Sequence, residues 1–345
     1  MKRTNGILIL LVILSLVLLA GSACGQKQQD SGQEVEGPAA EEQVEDQKVV
    51  NLGIIQLVEH PSLDAARQGF LDVLAENGYQ EGDNLKVALK NAQADMSIAQ
   101  SIAQQFAQDA PDLILAIATP AAQAMAQATQ EIPILITAVT DPVGAKLAES
   151  LERPGRNVTG TSDYFSVKEQ ILLLKEIVPQ AARIGLMYNS GEQNSVVQAE
   201  EVKAVAEELS LEVVEATPTN SGEVLQAAQS LIGKVDAIYV PTDNTVVSAL
   251  EAVIKVSYEN DIPMFPGEGD SVRRGGLATV GVDYYKLGRQ TGEKALQILQ
   301  GANPAEIPID VQSDFSITVN LKAAKEMNVT VPQSVLDRAS ELIEE

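Results

Sequence analysis

Most of the chain alternates between two patterns of apolar positions. Short runs rich in β-branched residues, such as 49–58 and 113–118, are typical of strands buried in a parallel sheet. Between such runs, apolar residues recur at helical spacing, as at Leu63, Ala66 and Phe70. Strands that alternate with helices of this length indicate an α/β protein with parallel sheets and right-handed crossovers.

The stretch 235–258 shows the pattern most clearly. An apolar strand ends at Pro241, the polar residues Thr242, Asp243 and Asn244 follow, and apolar residues then recur at helical spacing over 246–258. The polar residues are therefore expected at the carboxyl end of a strand and the amino end of a helix. Open α/β sheets bind small ligands at such places.

The chain repeats this arrangement. Three pairs of segments match in the same order, namely 85–106 with 211–231, 112–125 with 236–247, and 131–143 with 261–272. Internal similarity on this scale predicts two halves of like topology. We expect two doubly wound parallel-sheet lobes joined by a hinge, with the strand-end loops of each lobe facing one cleft.

The predicted lobes are discontinuous in sequence. The first lobe takes 48–162 plus 284–308, and the second takes 163–283 plus 309–345. A long helix that begins near Asp283 is expected to return to the first lobe. In the tail, the pattern predicts a strand at 317–320 and a last helix near 335–343.

The amino terminus carries a targeting pattern. Lys2 and Arg3 precede an apolar run over 7–20, which is short for a membrane span but typical of a signal peptide. The small residues before Cys24 resemble a bacterial lipobox, in which that cysteine is lipidated, although Gly21 stands where leucine is usual. We predict a lipoprotein signal peptide over 1–24 and a flexible acidic tether over 25–47. The alternative is an uncleaved anchor, and both place the protein outside the cytoplasm, attached to the cell membrane.

Composition favours binding over catalysis. The chain has 48 acidic against 24 basic residues, which argues against nucleic acid and against electrostatic adhesion to anionic lipid. His60 is the only histidine and Cys24 the only cysteine, so the sequence offers no internal disulfide, no Ser-His-Asp site away from His60 and no His/Cys metal cluster. It also lacks a phosphate-binding loop motif. An Asp/Glu pair for glycoside chemistry is compatible with the composition, but the repeat does not support it. We therefore expect neither an enzyme nor a cofactor.

The predicted binding site consists of polar residues at strand ends and helix starts. Its members are Gln56, Thr119, Thr140, Asp141, Asn189, Asn194, Ser195, Thr242, Asp243, Asn244, Glu268 and Asp283. Hydroxyls and backbone N–H groups at helix starts suit a carboxylate, and acidic side chains suit an ammonium group, so the set fits a zwitterionic amino acid.

Individual roles follow from the same chemistry. Ser195, Asn194 and Thr119 are assigned to a ligand carboxylate, and Asp243 or Asp141 to an ammonium group, with Glu268 as the second choice. The structural alternative is that these residues cap helices or form turns. His60, in the loop after the first strand, is either a ligand contact or an ordinary loop residue.

Five motifs carry a resemblance to a known family. They are Ala116-Ile-Ala-Thr-Pro-Ala-Ala-Gln123, Thr137-Ala-Val-Thr-Asp-Pro-Val143, Tyr188-Asn-Ser-Gly-Glu192 with Asn194-Ser-Val196, Val240-Pro-Thr-Asp-Asn-Thr-Val246, and Gly267-Glu-Gly-Asp-Ser-Val272. From position 50 to about 343 the chain resembles the extracytoplasmic substrate-binding lipoproteins of ABC transporters, in the family that includes the tryptophan/tyrosine-type binding proteins.

The resemblance implies a type I periplasmic-binding-protein fold, a cleft that closes about a hinge, and delivery of ligand to a membrane permease. It also implies an aromatic amino acid as ligand. The alternatives are another solute (a sugar, nucleoside or organic anion) and a receptor that reports occupancy to a membrane sensor. The chain has no tryptophan, and this scarcity of aromatic residues argues against a sugar, whose ring usually stacks on aromatic side chains.

Overall fold

Residues 49–344 are described by a computed structural model. The predicted signal peptide, the tether and Cys24 lie outside the described residues. In chain order the strands are β1 (Val50–Gln56), β2 (Leu85–Asn91), β3 (Leu113–Ile117), β4 (Ile134–Thr137), β5 (Val158–Ser162), β6 (Arg183–Met187), β7 (Glu212–Ala216), β8 (Ala237–Val240), β9 (Met264–Pro266), β10 (Ala278–Val282), β11 (Asp310–Val311), β12 (Phe315–Asn320) and β13 (Glu341–Ile343).

The helices alternate with these strands over most of the chain. They are α1 (Pro61–Glu76), α2 (Met96–Asp109), α3 (Thr119–Ala128), α4 (Val167–Ile177), α5 (Gln193–Glu208), α6 (Val224–Gln229), α7 (Asn244–Ser248), α8 (Leu250–Glu259), α9 (Gly269–Arg274), α10 (Tyr284–Leu299), α11 (Leu321–Glu326) and α12 (Gln333–Leu336). Within 49–344, no helix combines the length and the apolarity that a bilayer crossing requires.

Two parallel sheets repeat one strand order. The first runs β11-β5-β4-β3-β1-β2 and the second β7-β6-β8-β9. The order β2-β1-β3-β4 thus reappears as β7-β6-β8-β9, which confirms the predicted α/β class and the repeat. A third sheet, β10-β12-β13, contains an antiparallel pair and packs its apolar side into the core of the second lobe.

The same aspartate position stabilises both sheets. Asp112, just before β3, accepts a 2.9 Å hydrogen bond from the backbone N–H of Asn51 at β1. Asp236, just before β8, accepts a 2.8 Å hydrogen bond from the backbone N–H of Arg183 at β6. These aspartates are aligned in the sequence repeat. The repeat therefore includes the hydrogen bond from each aspartate to the backbone of the adjacent strand.

Each lobe has its own hydrophobic core, and the chain passes between the lobes three times within the described residues. The first crossing joins β5 to α4, the second β10 to α10, and the third β11 to β12. Helix α10 packs on α1 and contributes Leu287 and Ala295 to the core of the first lobe. Strand β11 pairs with β5, so the chain remains with the first lobe through Val311.

The α1–α10 contact is unusually close. A Cβ added at Gly288 would lie 1.9 Å from the backbone oxygen of Ala66, and one at Gly69 would lie 2.1 Å from that of Tyr285. Because glycine has no side chain, the two backbones can approach to contact distance. The pair matters for the site because α1 and α10 both begin at the cleft.

Two local predictions were wrong. The predicted last helix is interrupted, since α12 ends at Leu336 and 341–343 form β13, which pairs with β12. Arg273 also holds this strand by ion pairing with Glu341, so tertiary pairing outweighs the helical pattern. The predicted continuous helix over 246–258 is divided at Ala249, whose φ of −121° lies outside the helical range.

Candidate functional site

The loops at the carboxyl ends of both parallel sheets enclose a narrow cavity between the lobes, with a volume of about 20 Å³. This volume has room for about one water molecule and lies far below the range of about 300–1,000 Å³ that is usual for occupied small-molecule sites. Six predicted site residues line it, namely Thr140, Asn194, Thr242, Asp243, Asn244 and Glu268. The remaining lining residues are polar His60, Asp163 and Tyr284 and apolar Leu63, Ala138 and Val247.

The other predicted residues do not line the cavity. Gln56 is buried and donates to Asp64 in its own lobe, and Asp141 accepts a hydrogen bond from the N–H of Gly144 in a turn. Asp283 is exposed and caps α10. Thr119 is fully buried at the start of α3, and none of the described residues hydrogen-bonds its hydroxyl. Asn189 and Ser195 lie behind the cavity wall.

Asp243 is held by protein groups on both carboxylate oxygens. Oδ2 accepts hydrogen bonds from the hydroxyl of Ser195 and the N–H of Asn189, each at 2.6 Å. Oδ1 accepts from the N–H of Val246 at 2.7 Å, which caps α7. Because both oxygens already accept hydrogen bonds from the protein, Asp243 mainly stabilises the cavity wall. The hydroxyl of Ser195 is also used, since it donates to Asp243.

Glu192 supports the same wall but was not predicted as a site residue. Its Oε1 accepts from the N–H and the hydroxyl of Thr245 at 3.0 and 2.7 Å, and its Oε2 accepts from the side-chain amide of Asn244 at 2.6 Å. It thereby fixes the first turn of α7. Only its place in a Gly-Glu-Gln loop before α5 marks it in the sequence, and such loops are common.

Two polar contacts cross the cleft beside the cavity. The hydroxyl of Ser62 on α1 donates to Oε2 of Glu268 at 2.8 Å, and the hydroxyls of Thr140 and Thr242 face each other at 3.5 Å. Glu268 also caps α9 by accepting from the N–H of Asp270 and of Ser271. These contacts hold the lobes together around an enclosed space.

Three buried polar atoms of lining residues have no hydrogen-bond partner among residues 49–344. They are Nδ1 of His60, Oδ1 of Asp163 and Oδ1 of Asn194. The amide of Asn194 is oriented by its donation to the backbone oxygen of Thr242 at 2.9 Å, because a flipped amide would place two oxygens against each other. Buried polar atoms without partners carry a free-energy cost, so a bound ligand is expected to supply the missing groups.

The cavity is acidic. Asp163, Asp243 and Glu268 line it, while no lysine or arginine is among its described lining residues. Burial raises the pKa of Asp163 and of Glu268 above the usual range, and burial together with the Glu192 carboxylate raises that of Asp243. Burial lowers the pKa of His60 to about 4, so its imidazole is neutral near pH 7. The acidic side chains and the absence of basic ones among the described lining residues suit a hydrogen-bond donor such as an ammonium group.

Sequence reasoning missed Asp163 as a site residue and left His60 undecided. Asp163 follows β5 directly, so the strand-end rule that selected the other residues could have found it. Tyr284 and His60 lie at the starts of α10 and α1. Within residues 49–344, no group of three acidic, histidine or cysteine side chains is placed to hold a metal ion.

The two α/β lobes with a polar cavity between them have the type I periplasmic-binding-protein fold, which solved structures 14–16% identical to this chain share. Residues 51–343 match the family described as ABC transporter substrate binding protein, and the chain belongs to that family.

Similar proteins include a tyrosine-binding protein from Clostridioides difficile (strain R20291), 44% identical over 282 residues, which are 82% of each chain. Among solved structures, the ABC domain from Streptococcus pneumoniae in complex with L-Trp is 39% identical with a TM-score of 0.83. A ligand-free, open structure of a substrate-binding protein with adhesive properties from Clostridium difficile is 46% identical with a TM-score of 0.64. Each comparison covers 86% of this chain and 100% of the other.

Proposed function

We propose that this protein is the substrate-binding component of an ABC importer and captures an aromatic amino acid in the interlobe cavity by closure about the hinge. The observation that carries this proposal is the set of unpartnered atoms on His60, Asp163 and Asn194 in an acidic, enclosed cavity. No bond of the ligand is made or broken in this role.

An ammonium group matches the two free acceptors. The oxygens of Asp163 and Asn194 can each accept a hydrogen bond from an amine, and the carboxylate adds charge attraction. This assignment moves the ammonium role from Asp243, whose oxygens are occupied, to Asp163. It also makes Asn194 an ammonium ligand rather than a carboxylate ligand.

The cavity also offers an apolar surface for the side chain of an amino-acid ligand. Leu63, Ala138 and Val247 line the cavity together with the ring of Tyr284. Aromatic ligands gain from burial against aliphatic groups and from ring contacts with tyrosine. The cavity of about 20 Å³ is smaller than an amino acid, so the lobes must separate further than in this structure to hold one.

Neutral donors must hold the ligand carboxylate, since the described lining residues include no basic side chain. Thr140 lines the cavity, and Thr119 keeps an unpartnered hydroxyl at the start of the ten-residue helix α3. Of these two hydroxyls only that of Thr140 reaches the cavity, so we assign the ligand carboxylate to Thr140 and not to the fully buried Thr119.

Structural similarity supports closure. The chain resembles the L-Trp complex more closely than the open, ligand-free structure, although its sequence identity is higher with the open one. The contacts Ser62–Glu268 and Thr140–Thr242 span the cleft, as a closed arrangement requires. Relatives named for tyrosine and bound to L-Trp support an aromatic amino acid as the ligand.

The cellular setting follows from the sequence. Lipidation at Cys24 would tether the protein outside the cytoplasm by its lipid anchor, and a permease in the same membrane would receive the ligand. Uptake of labelled amino acid by cells with and without the protein separates an importer from a receptor. An unchanged uptake rate with intact ligand binding would favour the receptor.

Binding of L-tryptophan can be measured without indole fluorescence from the protein, because the chain contains no tryptophan. L-tryptophan is titrated into the purified protein under indole-selective excitation, and L-tyrosine, L-phenylalanine, myo-inositol and a nucleoside are tested as competitors. Asp163→Asn is expected to weaken amino-acid binding by about 2–4 kcal/mol, since it removes a buried charged partner. Asp72→Asn, at a partly exposed aspartate away from the cavity, is the matched control. Binding of a competitor of another class, with no amino acid bound, would contradict the proposal.

A further inference from the structure

The three segments that cross between the lobes are tied to one another by side chains. The hydroxyl of Tyr284, in the second crossing, donates to Oδ2 of Asp163, in the first, at 2.7 Å. Gln312, in the third, accepts from the N–H of Asp283 at 3.0 Å and donates to its oxygen at 3.3 Å. The rings of Phe165 and Phe315 join the first and third crossings with centroids 4.4 Å apart.

The tie between Asp163 and Tyr284 differs from the other two because it ends in the cavity. Asp163 and Tyr284 are each only 4% exposed, and both line the cavity. Oδ2 of Asp163 accepts the hydrogen bond from Tyr284, while Oδ1 has no hydrogen-bond partner in the described part of the chain. Asp163 therefore faces the hinge with Oδ2 and the ligand space with Oδ1.

We propose that Tyr284 is a positioning residue that holds Asp163 for the amine of the ligand, so that closure of the hinge depends on a cationic group in the cavity. The inference rests on the proposed function and adds a criterion of selection to it. Ligands that carry an amine allow closure, and deaminated analogues of the same shape do not.

The physical reason is the free energy of burying a charge. When the lobes close on an empty cavity, the carboxylate of Asp163 loses water and keeps only neutral hydrogen-bond donors, namely the hydroxyls of Tyr284 and Thr140 and its own backbone N–H. An ammonium group at Oδ1 supplies the countercharge and a further hydrogen bond. The fixed orientation from Tyr284 places that oxygen before the ligand arrives, which lowers the entropic cost of binding.

Other titratable groups share this environment. His60 from the start of α1, Asp243 from the cap of α7 and Glu268 from the cap of α9 line the same cavity, and Asp270 acts on Tyr284 from α9. Burial raises the pKa of Asp163, and the hydrogen bond from Tyr284 counteracts the rise. Loss of the Tyr284 hydroxyl should therefore shift the acid limb of the pH profile of ligand affinity to higher pH. The other titratable groups are the same in the wild type and in a variant that lacks only this hydroxyl.

The test is a double-mutant cycle with Tyr284→Phe, Asp163→Asn and the combined variant, in which phenylalanine preserves the ring that lines the cavity. Tyr285→Phe is the matched control, because Tyr285 also donates to an aspartate, Asp72, at 2.8 Å but on the surface. The readouts are the affinity for L-tryptophan, its pH profile, and small-angle X-ray scattering of the empty protein.

We expect Tyr284→Phe to weaken L-tryptophan binding about tenfold and to move the acid limb up by about one pH unit, with no change in Tyr285→Phe. In the Asp163→Asn background the same change should alter affinity less than about twofold. Asp163→Asn should also make the empty protein more compact in scattering.

Equal weakening by Tyr284→Phe in both backgrounds, no weakening, or an unshifted acid limb would each overturn the proposal. An empty Asp163→Asn protein as extended as the wild type would overturn its charge-burial basis, and this readout needs no ligand. Failure of the wild-type protein to bind any amino acid would instead count against the proposed function, and is seen before any variant is made.

Discussion

The hydroxyl of Ser62 on α1 donates a 2.8 Å hydrogen bond to Oε2 of Glu268, across the boundary between the lobes. Both residues are buried, and the other donors to this carboxylate, the N–H groups of Asp270 and Ser271 and the hydroxyl of Ser271, come from its own lobe. The single donor from the opposite lobe therefore distinguishes the closed arrangement from an open one.

Ser62→Ala should raise the dissociation rate of the ligand. A hydrogen bond to a charged group contributes about 1.5–3 kcal/mol, so we expect the rate to rise at least tenfold. Stopped-flow release of bound L-tryptophan measures it. Ser101→Ala is the control, since that hydroxyl donates only to Ser97 within α2. An unchanged dissociation rate would remove the Ser62–Glu268 contact from the closing mechanism.

Asp243→Ala should lower stability as well as binding. It removes the cap of α7 and leaves the Ser195 hydroxyl and the Asn189 N–H without their acceptor. We expect a loss of about 2–3 kcal/mol in the free energy of unfolding, measured by urea titration. Asp95→Ala removes an exposed cap of α2 and should cost only about 1 kcal/mol. Equal losses would show that burial of Asp243 adds nothing to a normal cap.

The fold was largely predictable because its signals are local and repeated. Apolar runs and helical spacing indicate the strands and helices, and the aligned Asp112 and Asp236 perform the same task in each lobe. The tail was not predictable in this way. Strand β13 forms because it pairs with β12 and because Arg273 forms an ion pair with Glu341. The residue pattern within 335–343 gives no information about these tertiary contacts.

The position of the candidate cavity was predictable from the sequence, but the directions in which its side chains point were not. The strand-end rule selects Thr140 and Asn194, which reach the cavity, but equally Gln56 and Asn189, whose side chains bond elsewhere. Asp243 engages a residue 48 positions earlier, and the sequence does not show that its carboxylate is already occupied. Which oxygen stays free is decided by tertiary contacts.

Gly288→Ala should destabilise the protein although alanine favours helices. The added methyl group would lie 1.9 Å from the backbone oxygen of Ala66, so α10 must move away from α1. The helix-propensity gain of about 1 kcal/mol is smaller than an overpacking cost of about 3 kcal/mol. Thermal unfolding monitored by circular dichroism measures the balance, and Glu293→Ala, at an exposed position on α10, is the control. A midpoint at or above the wild-type value would show that the helix pair can separate without cost.

His60 should make stability fall as the medium becomes acidic. Its pKa is lowered from 6.5 to about 4 by burial, so between these values the unfolded chain binds a proton that the folded protein does not. This contribution is complete above pH 6.5 and is lost progressively towards pH 4, by up to about 3 kcal/mol. The buried carboxyls Asp163, Asp243 and Glu268 have raised pKa values and act in the opposite direction.

The comparison of the wild type with His60→Gln separates these effects, because the carboxyls are common to both proteins. Urea unfolding between pH 4 and pH 8 should show the wild type losing stability relative to the variant as the pH falls through 6.5. Curves that run parallel over this range would mean that His60 is protonated as easily in the folded protein as in the unfolded chain. The imidazole would then be open to water, and the cavity would not be closed around it.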